Sequence, residues 1–288
     1  MNNPWTSPDK DSLPGTASPA VNGSAIRGRR DLLWKALRKA HDPVLGILGL
    51  LTILVLWQIA VVALSLPRYL VVAPTTVVER MLQAPDYFLT NSAATLYESI
   101  LGFIGGLVLG ILSALLIYYV PLARACLYPS MIAANTIPKV ALAPLLVVWL
   151  GVGMEAKVVV ALLIAFFPIL VSTIDGLASL PDELKELAEV DHASTWVRFR
   201  KLDAVYALPM LFTGMKVSIA LAVGGAVVGE FVAGNTGLGF VINTGTALLD
   251  TASMFAAFVL LSLMALVLFL MVELAQRAMI PWARQSHQ

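Results

Sequence analysis

The chain has 288 residues, and 59% of them are hydrophobic before its 20 glycines are counted, whereas soluble domains contain roughly 45 to 50% apolar residues with glycine included. Its 19 Lys and Arg nearly balance its 18 Asp and Glu, and charged residues make up only 13% of the chain. This composition predicts an integral membrane protein. Its high apolar content excludes a two-domain soluble enzyme and a disordered protein. Its balanced charge excludes a nucleic-acid binder, because binding phosphates needs an excess of cations.

The segment before the first apolar run, residues 1–42, is predicted to be a disordered cytoplasmic tail followed by a basic interfacial helix. Residues 1–30 are rich in Pro, Gly and Ser and lack an apolar run, so they cannot bury enough surface to fold. The stretch 31–41 places its leucines and its tryptophan on one helical face and its cations elsewhere, which is typical of a helix lying on a membrane surface. The alternative is a basic flank that only sets the membrane topology.

Six apolar stretches are long enough to cross a membrane as helices. A helix needs about 20 mostly apolar residues for this, and helices are favoured because an open sheet leaves its backbone unsatisfied in lipid. In chain order the predicted spans are Val44 to Leu66, Leu96 to Val120, Ser130 to Leu150, Val158 to Leu177, Leu211 to Phe231 and Phe255 to Val272. The predicted fold is therefore an all-α membrane protein with six transmembrane helices.

The distribution of Lys and Arg predicts that both termini are cytoplasmic, because cytoplasmic flanks carry an excess of these residues. With six passes, fourteen cations fall on the inner side and only Arg68, Arg80 and Lys157 on the outer side, while Lys139 and Lys216 lie within spans. The resulting organisation is a first span with a periplasmic segment over 43–90, a core over 91–278 and a short cytoplasmic tail over 279–288.

Two of the predicted spans carry stripes of small residues. A repeat of small side chains every four residues lets two helices approach closely in a membrane. We interpret both stripes as packing surfaces; the alternative is that smooth faces also let helices slide during gating. The residues are Gly102, Gly106, Gly110 and Ala114 in the second span, and Gly214, Ser218, Ala222 and Ala226 in the fifth, with Gly225 and Gly229 repeating the spacing.

Ionisable residues inside spans are costly and mark candidate solute pathways. Lys139 lies beside Asn135 in the third span, between two prolines that interrupt helix hydrogen bonding. These two residues either line a pathway, or Lys139 forms a structural ion pair with Asp175 or Glu98. Glu230, near the end of the fifth span, either faces a gate or pairs locally.

The segment 179–209 is the longest and most charged of the predicted inner loops. Pro181 followed by two carboxylates indicates a helix start, and Leu184, Leu187 and Ala188 give this helix an apolar face. Ser194 is a candidate N-cap for a second short helix that carries an aromatic face and ends before Pro209. The pattern predicts a knob that docks another protein. The alternative is an ordinary solvated loop.

This segment resembles the EAA signature of ABC-importer permeases, which reads E-A-A-x-x-x-G-A-S followed by a phenylalanine, two prolines and a glycine. The residues that match are Glu186, Ala188, Ala193, Ser194, Phe199, Leu208, Pro209 and Gly214. Leu187 replaces an alanine, His192 replaces the glycine, Leu202 a valine and Val205 the first proline.

The His192 replacement concerns the backbone of the predicted bend. A glycine there implies a left-handed conformation, which costs a residue with a Cβ roughly 1 to 2 kcal/mol. Histidine is enriched at positive φ, so we expect the bend to persist. The alternative is a degenerate, weakly coupled paralogue.

Further stretches are similar to the nitrate, sulfonate and taurine branch of these permeases, and the similarity covers roughly residues 70–280. They are Ile137 to Lys139 with Ala143 to Leu145 and Trp149 to Gly151, then Phe166 to Leu170, Gly229 to Phe231 and Gly237 to Gly239. The resemblance implies a type I importer permease fold. It also implies a homodimer in a bacterial inner membrane, two cytoplasmic ATPase subunits that receive the loops, and a periplasmic solute-binding protein. The substrates implied are nitrate, sulfonates, taurine or aromatic vitamin precursors.

The sequence carries no phosphate-binding GxxxxGK[ST] loop, since none of its lysines follows a glycine. We therefore expect no cofactor and no enzymatic activity in this chain, and expect ATP and magnesium to be bound by a separate ATPase. The rival class is a self-contained channel or an ion-coupled carrier, in which the loop 179–209 is only a connector.

Overall fold

The computed structural model describes residues 45, 46, 48–65, 67 and 69–281. The expected tail and surface helix over 1–42, and most of the tail over 279–288, lie outside these residues. The chain divides into two units at residue 57. The described part of the first unit belongs to an apolar helix, α1 (Leu48–Ala63), within the first predicted span.

The part of the chain that the structure describes is helical and contains no strand. After α1 the α-helices are α2 (Pro74–Gln83), α3 (Pro85–Tyr119), α4 (Pro121–Asn135), α5 (Lys139–Leu150), α6 (Met154–Ala178), α7 (Asp182–Val190), α8 (Thr195–Arg198), α9 (Ala204–Ala233), α10 (Leu238–Leu248) and α11 (Thr251–Met279), with a π-helical turn over Phe199–Asp203. The all-α prediction is confirmed.

Four helices in the described ranges are long and apolar enough to cross a membrane by themselves, and a bent pair raises the number to five. The four single helices correspond to the second, fourth, fifth and sixth predicted spans, and each is longer than the span predicted from the sequence. The second begins at Pro85 rather than Leu96, and the sixth extends to Met279 rather than Val272. These ends are polar enough to escape a hydropathy criterion, yet their backbone continues the helix.

The third predicted span is broken rather than continuous. α4 and α5 meet at an angle of 97° across residues 136–138. Pro138 precedes the first residue of α5 and Pro144 lies inside that helix. A proline has no N–H to donate and restricts the residue before it, so the backbone turns at Ile137 and Pro138.

The α6 helix packs between α3 and α9, and the small residues make this possible. A Cβ on Gly106 would lie 3.2 Å from the Ala165 Cβ of α6, and one on Gly229 would lie 2.7 Å from the Lys157 Cα. From α9, the buried Ser218 hydroxyl donates to the Ala165 carbonyl at 2.8 Å. The prediction that both stripes are packing surfaces is confirmed.

Substitutions at two adjacent glycines of α9 test this packing. A Cβ on the buried Gly225 would stand 2.7 Å from the Ala161 Cα, whereas one on the exposed Gly224 meets no atom within 4 Å. We expect Gly225→Ala to lower the free energy of unfolding by about 1 to 3 kcal/mol, because backbone atoms of α6 must move. Gly224→Ala should leave it unchanged or slightly raised, since alanine has the better helix propensity. Thermal unfolding of the purified variants measures both, and equal transitions would contradict the packing described.

Candidate functional site

The bent loop over 179–209 begins with the predicted short helix, but its second helix is longer than predicted. α7 starts directly after Pro181, with Asp182 and Glu183 in its first turn. α8 then begins after Ser194, whose side chain accepts a hydrogen bond from the Val197 N–H at 3.4 Å. The expected short second helix does not end before Pro209. It continues through the π-helical turn into α9, so that residues 195–233 form one 39-residue helix.

The turn between α7 and α8 is a Schellman motif with histidine at its left-handed position. His192 has φ of +49°. Its N–H donates to the Glu189 carbonyl at 3.1 Å, and the Ala193 N–H donates to the Ala188 carbonyl at 3.0 Å. These two bonds define the motif, and glycine is its usual residue at this position. The predicted persistence of the bend is thus confirmed, at a position where a side chain is strained.

Two substitutions at His192 test whether this backbone conformation matters for binding a partner. We expect His192→Gly to preserve the bend, because glycine adopts positive φ freely. His192→Val should disfavour it, since a β-branched residue is strained there, at a cost of about 1 to 2 kcal/mol. If the bend is the docking geometry, affinity for the partner should fall roughly tenfold in the valine variant only. Titration of the partner against both variants measures this, and equal affinities would contradict it.

Apolar side chains project from the loop into open space. Leu187 is 62% exposed, Val190 78% and Trp196 67%. Glu186 is also exposed, whereas Leu184 is half-buried and Ala188 is buried. Exposed apolar clusters of this kind mark interaction surfaces. The cluster of Leu187, Val190 and Trp196 is hereafter called the apolar knob.

The base of the loop is held by a buried carboxylate at the π-helical turn. Asp203 is fully buried; its Oδ2 accepts the Tyr119 hydroxyl at 2.6 Å and lies 3.5 Å from the Arg198 Nε. Phe199 packs edge-on to Tyr119 with ring centroids 6.4 Å apart. The loop is thereby fastened both to α9, through the chain, and to the end of α3.

The remaining residues of the predicted signature lie inside the helical body. Pro209 is within α9, where its ring removes one helix hydrogen bond. Gly214 is buried against α6, and a Cβ there would stand 2.6 Å from the Ser172 Cβ. These two residues therefore shape the base of the loop and are not part of its exposed surface.

The two candidate pathway residues of the third span meet at the helix break. The Lys139 ammonium donates to the Asn135 side-chain carbonyl at 2.5 Å and lies 5.9 Å from the Phe167 ring centroid. Phe167 lies near the middle of α6, so the break is level with the middle of the helical bundle. The predicted alternative of an ion pair between Lys139 and Glu98 or Asp175 is not found, since Glu98 is bonded to Lys157 and no ion pair of the described residues joins Lys139 to Asp175.

A buried polar cluster lies at the end of the bundle opposite the loop. The Lys157 ammonium donates to the Glu98 Oε1 at 2.9 Å, with side chains 3% and 1% exposed. Lys157 also donates to the Thr236 carbonyl at 3.1 Å. Its predicted place in an outer loop is wrong, because α6 begins at Met154 and packs its first turns against α3 and α9.

Glu230 caps the N-terminus of α10 together with two side chains of α3. The Gly239 N–H donates to the Glu230 Oε2 at 2.5 Å, the Leu238 N–H to the Thr95 hydroxyl at 2.8 Å and the Gly237 N–H to the Asn91 Oδ1 at 2.8 Å. The Thr95 hydroxyl in turn donates to the Glu230 Oε1 at 2.6 Å. The first N–H groups of a helix lack partners within it. Of the two alternatives for Glu230, local pairing is the one found.

The part that Asn91, Thr95 and Lys157 play in the buried polar cluster was not predicted from the sequence. A signal was available for α3, because polar side chains recur at Asn91, Thr95 and Ser99, four residues apart and hence on one helical face. For Lys157 the sequence held no comparable signal.

Comparison with known proteins adds a family assignment to this geometry. Residues 106–285 match the family model described as "Binding-protein-dependent transport system inner membrane component". The chain is 37% identical to the riboflavin transport system permease protein RibX of Chloroflexus aurantiacus, over 86% of this chain and 94% of the relative. It is 32% identical to the formylaminopyrimidine transport permease protein ThiX of Halalkalibacterium halodurans, over 87% of this chain and the whole relative.

More distant similarities agree with this assignment. The putative aliphatic sulfonates transport permease protein SsuC of Bacillus subtilis is 26% identical over 94% of this chain and 96% of its own. Among solved structures, an inward-facing MetNI methionine ABC transporter has a chain that superposes with a TM-score of 0.58 at 23% identity, covering 65% of this chain and 94% of that one. The latter similarity concerns the fold alone.

Proposed function

This chain belongs to the family of binding-protein-dependent transport inner-membrane components, the permease subunits of ABC transporters, and from this premise we propose that it forms the translocation pathway of an ATP-driven importer. It is a multi-pass membrane permease and not an enzyme. The expected ATPase, the solute-binding protein, ATP and magnesium all belong to partner chains in this proposal.

The observation that carries the proposal is the link between the apolar knob and a transmembrane helix. The knob follows the last residue of α6, includes the first turn of the helix over 195–233, and exposes Leu187, Val190 and Trp196. From Thr195 the chain continues as one helix to Ala233. A partner that moves the knob would therefore tilt α9, which packs against α6 through small residues and also contacts α3. This is a mechanical route from a docked ATPase to the membrane helices.

We assign the knob to the cytoplasmic side, where ATP is available. The excess of Lys and Arg on the same side as the loop supports this orientation, with both termini cytoplasmic and the α10 end facing the solute-binding protein. ATP-driven closure of two ATPase subunits would then rock the helices between outward-open and inward-open arrangements, which is alternating access.

The solute would pass beside the helix break of the third span. Asn135 and Lys139 offer an amide and an ammonium at mid-depth, next to the face of Phe167. Irregular backbone is tolerated at this depth only against protein or a watery cavity. Residues of α5 beyond the break are exposed in the single chain, among them Val148 and Trp149. A second copy of the chain is the partner proposed to cover them.

Reconstitution separates this proposal from the rival of a self-contained carrier. The permease is purified with its cognate ATPase and solute-binding protein and placed in liposomes. Uptake of labelled solute is followed with ATP inside, with ADP inside and without the ATPase. We expect uptake only with ATP and all components. Uptake by the permease alone, at a rate unaffected by ATP, would establish the rival.

For the substrate we propose a nitrogen heterocycle such as a vitamin or vitamin precursor, in preference to a sulfonate or nitrate. The relatives named for riboflavin and formylaminopyrimidine are 37% and 32% identical, against 26% and 27% for those named for aliphatic sulfonates and taurine. A ring stacking near Phe167 with hydrogen bonds to Asn135 fits this class. Calorimetric titration of the cognate binding protein with riboflavin, formylaminopyrimidine and taurine tests it, and binding of taurine alone would contradict it.

A further inference from the structure

A cavity of about 920 Å³ lies behind the loop, at the level where α3 and α6 end and α4 begins. Tyr119 is the last residue of α3, Ala178 the last of α6, and Arg124 lies in the first turns of α4. All three line the cavity, and Ala188 of α7 closes it from the loop side. Its position is thus the boundary between the apolar bundle and the aqueous phase.

Three cations line this cavity against one carboxylate, Glu189. Within the described residues Arg124 forms no ion pair, whereas Arg198 is ion-paired with the buried Asp203, whose Oδ2 lies 3.5 Å from the Arg198 Nε. Lys185 pairs with Asp182 at 2.8 Å, but that carboxylate is 87% exposed. Exposed pairs of this kind contribute little and exchange readily. The Arg124 guanidinium and the Lys185 ammonium are therefore available to an anion, while the charge of Arg198 is partly balanced by Asp203.

The cavity adjoins an apolar groove that runs along the side of the bundle. The groove has a volume of about 380 Å³ and is lined by Leu115, Tyr119, Thr195, Trp196 and Phe199. It shares Tyr119 and Thr195 with the cavity. A ligand that occupied both would need an anionic head and an apolar part.

We propose that the cavity and groove together bind one anionic phospholipid, with its phosphate at Arg124 and Lys185, near Arg198, and an acyl chain along Leu115 and Phe199. The guanidinium group of arginine can donate two parallel hydrogen bonds to phosphate oxygens. Basic pockets between transmembrane helices on the cytoplasmic side bind anionic lipid headgroups. The inference rests on the proposed function in assigning this side to the cytoplasmic leaflet. A lipid bound in this way would bridge α3, α4 and the loop.

The test measures lipid binding to the full permease by native mass spectrometry, with phosphatidylglycerol and phosphatidylcholine of matched chains as probes. We expect phosphatidylglycerol to bind more tightly. Arg124→Gln should weaken that binding about fivefold, the effect of one cation near a lipid surface, and should leave phosphatidylcholine unaffected. Arg200→Gln is the matched control, because Arg200 is exposed on the same loop but does not line the cavity; its binding should equal that of the unsubstituted chain.

Four outcomes would overturn the inference. Equal binding of the two lipids would show that no anion site exists, and equal effects of Arg124→Gln and Arg200→Gln would show that the cavity is not the site. Displacement of the lipid by millimolar inorganic phosphate would indicate a free-anion site. Loss of the lipid on addition of the ATPase would indicate that the partner fills the cavity. Lipid binding is measured by native mass spectrometry on the permease with and without the ATPase. The same spectra show whether the ATPase binds at all, and its failure to bind would contradict the proposed function without bearing on the lipid site.

Discussion

Replacing Lys157 by methionine is expected to lower the free energy of unfolding by about 3 to 5 kcal/mol, because it leaves a buried carboxylate without its cation. Glu98 and Glu230 are 1% and 0% exposed, and Lys157 is the ammonium bonded to Glu98. The Glu98 Oε2 already lacks a hydrogen-bond partner among the described residues. Removing the ammonium therefore adds an uncompensated charge to a site that water does not reach.

Two further variants show whether charge is the cause. Glu98→Gln together with Lys157→Met removes both charges and should recover most of the lost stability, since the cost arises from the unpaired ion. Lys185→Met is the matched control: Lys185 pairs with Asp182, whose side chain is 87% exposed, so its loss should cost little stability. Thermal and denaturant unfolding in one detergent compares them. Equal losses for the two lysine variants, or no recovery in the double variant, would contradict this account.

The second large effect is expected at the apolar knob. Leu187→Arg should abolish capture of the ATPase, with affinity reduced more than thirtyfold, as for loss of a central hot-spot contact of about 2 kcal/mol or more. Leu187 is 62% exposed and contributes little to the core, so the permease should fold and unfold like the unsubstituted chain. The loss would then belong to the interface and not to the fold.

Leu82→Arg is the control for this substitution. Leu82 is 74% exposed on α2, at the opposite end of the bundle, and its replacement should leave ATPase capture unchanged. Co-purification from membranes, followed by titration of the ATPase in nanodiscs, measures both variants. Undiminished capture by Leu187→Arg would place the docking surface elsewhere and remove the main support for the proposed mechanism.

The buried polar cluster also explains why α10 is held firmly. Its first three N–H groups are bound by side chains of α3 and α9 and not by a cap within its own turn. These hydrogen bonds join α3, α9 and α10 at the N-terminus of α10. In the proposed transport cycle this end of the bundle would move as a unit with α9, in response to movement of the knob.

Much of the fold could be read from the sequence because the relevant signals are local. Hydropathy over about 20 residues located the spans, and the four-residue spacing of Gly102, Gly106 and Gly110 indicated the face on which α3 packs. Pro181 and Ser194 marked the starts of α7 and α8, and His192 at a glycine position indicated a left-handed bend. Each of these depends on the backbone within one or two helical turns.

Only the tertiary structure decided which distant groups meet. Glu98 and Lys157 are 59 residues apart, and Thr95 and Glu230 are 135 residues apart, so no local pattern pairs them. The prolines of the third span predicted an interruption there, but the size of its angle, 97°, and the continuation of α8 into α9 depend on what each segment packs against. The sequence determined which segments are apolar, helical or bent, since these properties follow from neighbouring residues. Burial of a charge and the choice of its partner follow from the packing of whole helices, which local chemistry does not specify.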